Sequence, residues 1–148
     1  MPEAGLRAAI TLACCLHWTA FALFLAFGWC AALRPGELLK LRRRDVTLPS
    51  DLASPTSPLF LRLRASKTSR KHGAATHQHA RIDAADMIEL AEALVGELRP
   101  KERIFGWKYR GLRRHWDAIF KDRLGFERLT PSGLRSGGAI HALLTGGL

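Results

Sequence analysis

Two arginines in this sequence are framed by signals that would hold them still. Arg34 lies in Ala32–Val46, ALRPGELLKLRRRDV, between an apolar run and a helix start. Pro35 has the fixed φ that suits a first helical turn, and Glu37 puts a carboxylate where the helix dipole favours one. Arg135 lies in Leu129–Leu148, LTPSGLRSGGAIHALLTGGL, where Thr130 and Pro131 signal a helix start one turn earlier. Gly137-Gly138-Ala139 then permits close backbone packing. A cation fixed between packed structure and a capped helix serves an anion. A third basic group, Lys67 with Arg70 and Lys71, sits at the tip of an expected hairpin. His72, His77 and His79 lie nearby, but a metal would need more converging ligands than a hairpin offers, so solvated or phosphate-facing histidines are expected and no metal.

Composition names the class of partner. The chain has 148 residues, 47% of them hydrophobic, a formal charge of +10 and a pI near 10.6. That is one domain's worth of chain with a real core, and its charge calls for nucleic acid or an anionic membrane surface. Residues 34–81 hold eleven Lys/Arg against three Asp/Glu, 82–100 are acidic, and 101–148 are basic again. The basic blocks also carry periodic apolar residues, which marks a surface patch and not a tail. Cys14, Cys15 and Cys30 all fall in the apolar run. They are expected as core thiols in an intracellular reducing compartment, with no Cys-x-x-Cys spacing.

The elements that must position these residues follow the same pattern. Ala8–Leu33 has no charge, and reads either as a membrane span or as one or two buried helices broken near Gly28. A short helix follows Arg34, and Arg42-Arg43-Arg44 leads to a first strand at Asp45–Leu48. Pro49–Pro58 is a surface loop. Leu59–Arg64 alternates apolar and basic, Gln78–Ile82 returns, and the pair makes an antiparallel hairpin around Ser66–Ala75. Asp83 is expected to cap a helix at Ala84–Leu98, with Met87, Ala91, Leu94 and Leu98 inward. A further helix is expected at Tyr109–Leu124, with Tyr109, Leu112, Trp116, Ile119, Phe120 and Leu124 as its core face and Arg110, Arg113, Arg114 and Lys121 outside. Gly125 stops it. The fold class is α+β, mainly α, with a small three-stranded antiparallel sheet on one side.

With both arginines in place, the chain resembles the catalytic domain of the tyrosine recombinases, the phage-integrase family. ALRPGELLKLRRRDV resembles the first-arginine motif, LRLRASKTSRKHG…HARI the hairpin of the catalytic lysine, and LTPSGLRSGGAIHALLTGG the second-arginine box. Together the three cover roughly residues 8–148 in the family's order. The resemblance implies DNA strand breakage by a tyrosine hydroxyl, a 3′-phosphotyrosine intermediate, and rejoining without cofactor, metal or nucleotide. Arg34 and Arg135 match the arginines that stabilise the five-coordinate phosphorus, for which a planar, permanently charged, two-point donor is suited. Lys67 matches the lysine that protonates the leaving 5′-oxygen, and Glu37 a position that supports the first arginine. Arg43, Arg44, Arg70, Lys71, Arg113 and Arg114 are expected on the DNA. The partners implied are DNA and further recombinase subunits or copies of this chain, with no small-molecule substrate and no membrane. The location is wherever the DNA target is, nucleoid or nucleus.

The match has two departures. Ser132 stands where the family's box usually has histidine, and a serine can bond a phosphate but is a poor base. The family's nucleophilic tyrosine lies beyond the second-arginine box and has no counterpart here, so a C-terminally truncated catalytic domain is expected. Tyr109, the only tyrosine, precedes Arg135 and is expected in the core, and His141 matches no catalytic place. Beside the recombinase reading stand two others: a membrane-anchored protein with a basic domain, its arginines flanking the span, and a non-catalytic nucleic-acid-binding module.

Overall fold

The uncharged N-terminal run breaks at His17 and not at Gly28. In the computed structural model, which describes residues 1–64 and 77–145, α1 is Glu3–Cys15 and α2 is Thr19–Cys30. Trp18 N–H bonds the Ala13 carbonyl and His17 N–H that of Cys14, with His17 at φ 61°. This paired closure is the usual way a helix ends on a left-handed residue, and histidine tolerates that region better than most side chains. Gly28 stays inside α2 and is fully enclosed. Phe21 through Trp29 are all buried, so α2 is apolar all round because protein surrounds it. Helices of 13 and 12 residues are each shorter than the roughly 20 that a bilayer needs. No helix among the described residues is long and apolar enough to cross a membrane.

More than half the chain is helical, with one three-stranded antiparallel sheet, so the fold is α+β and mainly α. Two compact units divide it: unit 1 is Met1–Lys40 with Phe105–Leu148, and unit 2 is Leu41–Ile104. Unit 1 contains α1, α2, α3 (Pro35–Leu39), α5 (Tyr109–Trp116, continued as a π-helix over Asp117–Lys121) and α6 (Gly133–Leu144). Its core gathers Phe21, Phe24 and Phe27 of α2 with Phe105 and with Trp116, Ile119 and Phe120. The Phe24 and Phe105 rings meet edge to face at 5.3 Å, a favoured aromatic geometry.

The position of α6 is set by two glycines. A Cβ on Gly138 would strike the backbone carbonyl of Trp29, and one on Gly137 would lie 2.6 Å from the Trp29 ring. A Cβ on Gly28 would lie 2.7 Å from Leu134 Cδ1 and 3.2 Å from Leu38 Cδ1. The C-terminal end of α2 is therefore the seat on which both α3 and α6 pack.

Unit 2 holds β1 (Val46–Thr47), β2 (Leu59–Arg64), β3 (His77–Ile82) and α4 (Ala85–Val95), in strand order β1-β2-β3. Leu61 pairs with Val46 on one side and Ala80 on the other, and Leu59 faces Ile82. Leu59, Leu61 and Ile82 are buried as their alternation predicts, with Arg62 outside. Pro49–Leu52 coils into a 3₁₀ turn at the head of the expected loop.

Several local expectations change. Asp83 does not cap α4: its carboxylate accepts from Arg81 Nε at 2.9 and 3.1 Å, and Ala84 takes the cap position. Val95 completes the buried face with Met87 and Ala91, while Leu94 and Leu98 are half-buried. Cys14 and Cys15 are exposed and Cys30 is half-buried, because α1 turns Leu6, Ala9 and Ala13 inward. Burial and the neighbouring Cys15 thiol both push the Cys14 thiol up. Tyr109 is 50% exposed at the start of its helix, and is no part of the core.

Gly138→Ala is expected to destabilise the protein by about 2 kcal/mol or more, since the helix backbones must separate. Gly28→Ala, which meets leucine side chains (Leu134 Cδ1 and Cβ, Leu38 Cδ1) and no backbone atom, is expected to cost less. Thermal melts followed by circular dichroism measure both, and equal small shifts would contradict the close approach of α2 and α6.

Candidate functional site

The connection from α2 to α3 is short and strained in one place. Leu33 N–H bonds the Gly28 carbonyl and Ala32 N–H that of Trp29, with Ala32 at φ 51°. An alanine in that region costs about 1 kcal/mol, which the closure around it sustains. Leu33 is buried, and Arg34 follows in extended conformation as the residue before α3. Pro35 occupies the first helical position. Glu37 Oε2 accepts from the Arg34 backbone N–H at 3.2 Å. The carboxylate thus anchors the chain at Arg34.

On the other wall, Trp116 Nε1 donates to the Leu129 carbonyl at 2.9 Å and so holds the strand of chain entering α6. Gly133 N–H bonds Thr130 and Leu134 N–H bonds Pro131, forming the turn that the Thr-Pro pair signals. Leu134 is buried against Gly28, and Arg135, its neighbour, is directed outward.

These two walls enclose a cleft of about 580 Å³ lined by Ala32, Arg34, Pro35, Ser132, Arg135, Ser136 and Ala139. Arg34 and Arg135 are both exposed, and among the described residues neither guanidinium has a hydrogen-bonded or ionic partner. Among the described residues none that lines the cleft carries a carboxylate, and the N-terminal end of α6 adds the positive end of its dipole. The Ser132 hydroxyl adds a donor to this wall, whereas that of Ser136 donates to the Gly133 carbonyl at 3.4 Å. Such a site concentrates positive potential and suits an oxyanion, above all one with several oxygens.

Lys67, Arg70 and Lys71, with the expected loop Ser66–Ala75, lie outside the described residues. The remaining expected cations do not line the cleft. Arg43 is occupied in unit 2: its Nη1 donates to the Val46 carbonyl at 2.9 Å and its Nη2 to Asp51 Oδ1 at 2.7 Å. Only 13% of its side chain is exposed. Arg44 is exposed and forms no ion pair among the described residues. Arg113 pairs with Asp117 at 3.2 Å, while Arg114 is exposed and unpaired among the described residues. Tyr109 and His141 do not line the cleft; His141 Nδ1 lies 3.6 Å from Glu3 Oε2.

Sequence reasoning did not find Ala32, Ser136 and Ala139. The backbone strain at Ala32 has no sequence signature, whereas Ser136 and Ala139 follow from Arg135 at helical spacing. A larger cleft in unit 2, about 710 Å³, is lined by the 49–58 segment with Asp83, Glu89 and Glu92. Its carboxylates repel a polyanion, and Ser50 N and Oγ donate to Glu92 at 3.0 and 2.7 Å. The smaller cleft is therefore the candidate. No protein-family model, curated protein or solved structure matches the chain.

The hydrogen bond from Arg43 holds the Asp51 carboxyl below the usual carboxylate range, with burial opposing the shift and the Leu48 N–H and the Arg43 charge assisting it. A depressed folded-state pKa gives stability above the unfolded value that is lost as pH falls through the folded one. Asp51→Asn is expected to lower the melting temperature at neutral pH and to remove part of its decline on acidification toward about pH 3. Parallel acid limbs for variant and parent in pH-dependent melts would contradict this.

Proposed function

We propose that this chain is a DNA-binding domain of the tyrosine-recombinase type, serving strand breakage and rejoining in recombination or integration. Arg34 and Arg135 engage one backbone phosphate in the cleft of unit 1. The observation that carries the reading is the pairing itself. The two arginines are separated in sequence by all of unit 2, yet line one cleft to which the described residues bring no carboxylate. Ordinary surface arginines have no reason to share a cleft. Two exposed cations lining one cleft repel each other by about 1 kcal/mol or less in water, and an anion bound between them would turn that repulsion into attraction.

The chemistry this reading asks of the residues is charge stabilisation at phosphorus. Two fork-shaped donors can hold the non-bridging oxygens, and each gains strength as negative charge develops there. Ser132 can donate to the same oxygens, Ser136 can do so by giving up its bond to the Gly133 carbonyl, and Glu37 keeps Arg34 in place through its backbone. In the proposed scheme a tyrosine hydroxyl, which the lining of this cleft does not include, bonds to phosphorus as the bond to the 5′-oxygen breaks, and Lys67 supplies the proton to that leaving oxygen. The partner is DNA, with further copies of the chain or related subunits on the same DNA, at the site of that DNA in the cell. No cofactor or metal is needed. Ser132, where the resemblance calls for histidine, favours a second reading in which the same cleft binds the phosphate without reacting.

Arg34→Ala and Arg135→Ala are each expected to weaken binding of a DNA duplex by tenfold or more, about the cost of one charge-assisted bidentate contact. Arg43→Ala is expected to change it less, because Asp51 and the Val46 carbonyl already occupy its guanidinium. Fluorescence anisotropy at fixed salt measures all three. Equal losses would show diffuse electrostatics and no organised cleft.

A further inference from the structure

The outward side of α5 is not used by the arginine cleft. Leu112 and Trp116 of this helix are buried, together with Ile119 and Phe120 of its π-helical continuation. Arg110 and Arg114, one turn apart, lie on the opposite side. Both are exposed, as are Lys108 just before the helix and Lys121 at the end of the π segment. None of the four has a carboxylate partner among the described residues, in contrast to Arg113, whose charge is met by Asp117.

The placement of two of these cations works against the helix. The first turn of α5 contains no acid. Lys108 and Arg110 stand where the helix dipole favours anions, an arrangement that costs helix stability. A local conflict of this kind is kept where another requirement outweighs it, and a bound anion would relieve it. Tyr109, half-exposed beside Arg110, adds a flat face on which a base can stack.

We infer that Lys108, Arg110, Arg114 and Lys121 form a second nucleic-acid-binding surface, one that follows the phosphate backbone. It shares with the proposed function the class of partner and Arg114, one of the cations the sequence places on the DNA, but none of its residues lines the cleft of Arg34 and Arg135. A membrane-surface helix would set large apolar side chains beside its cations on the lipid side. Here Leu112, Trp116, Ile119 and Phe120 are buried in unit 1, and Tyr109, which carries a hydroxyl, is the one large hydrophobic side chain of the helix left half-exposed beside the cations. The i, i+4 spacing of Arg110 and Arg114 places their guanidiniums to meet neighbouring phosphates of one strand.

The test is the salt dependence of binding to a fluorescein-labelled DNA duplex, measured for the parent, for Arg113→Gln and for Lys108→Gln/Arg110→Gln/Arg114→Gln. The triple variant is expected to bind at least about tenfold more weakly and to lower the slope of log K against log salt by about 2 to 3. Its melting temperature is expected to hold or rise, since the dipole conflict is removed. Arg113→Gln is expected to leave the slope unchanged. An unchanged slope in the triple variant overturns the inference. So does a loss confined to phosphatidylserine vesicles with DNA binding intact, which would make the surface a membrane contact. Arg34→Ala/Arg135→Ala in the same assay separates the two proposals. Loss there alone leaves the cleft and removes the ridge, whereas loss in the triple variant alone leaves the ridge and removes the cleft.

Discussion

Unit 1 depends on how closely two helix backbones approach where α2 ends. Gly138 presents no side chain to the Trp29 carbonyl, and Gly28 presents none to Leu134 or Leu38. Leu134 precedes Arg135, and Leu38 lies in the helix that begins just after Arg34. One small patch of α2 therefore fixes both walls of the cleft. The rest of α2 is buried in an aromatic core, so the patch cannot shift without repacking Phe21, Phe24 and Phe27. The apolar N-terminal run is the foundation of this patch.

The second organising feature is which cations are neutralised and which are left free. Arg43 is committed to Asp51, Arg62 to the buried Asp45 at 3.4 Å, Arg81 to Asp83 and Arg113 to Asp117. The Arg43 and Arg62 contacts tie neighbouring segments of unit 2 together, and those of Arg81 and Arg113 are local. Arg34, Arg135, Arg110 and Arg114 stay free of carboxylates among the described residues, and they gather in two places on unit 1. A net charge of +10 draws polyanions by itself. The distribution of unpaired charge adds the geometry with which one is held.

Much of this was legible in the sequence, for physical reasons that differ by element. The Leu59–Arg64 strand and its partner follow from strict alternation, and the helix after Arg135 follows from Thr130 and Pro131. Both arginines were identifiable because each lies beside a helix start. The break at His17 was not legible, because glycine at position 28 is the stronger breaker by propensity. Close packing against Leu134 and Leu38 claims that glycine instead. Asp83 looked like a cap, but Arg81 two residues away competes for its carboxylate. Tyr109 fits an apolar stripe by spacing, yet the first turn of α5 extends past the core. The pairing of Arg43 with Asp51, eight residues on, depends on the 3₁₀ turn at Pro49–Leu52, which no periodicity announces.

The central claim is that Arg34 and Arg135 hold the same phosphate. A double-mutant cycle on duplex DNA binding, with Arg34→Ala, Arg135→Ala and the two combined, tests it most directly. Shared engagement predicts that the combined loss departs from the sum of the single losses by about 0.5–3 kcal/mol, the range for residues that share a partner. Strict additivity of the two losses would mean that each arginine meets its own phosphate, and would contradict the account.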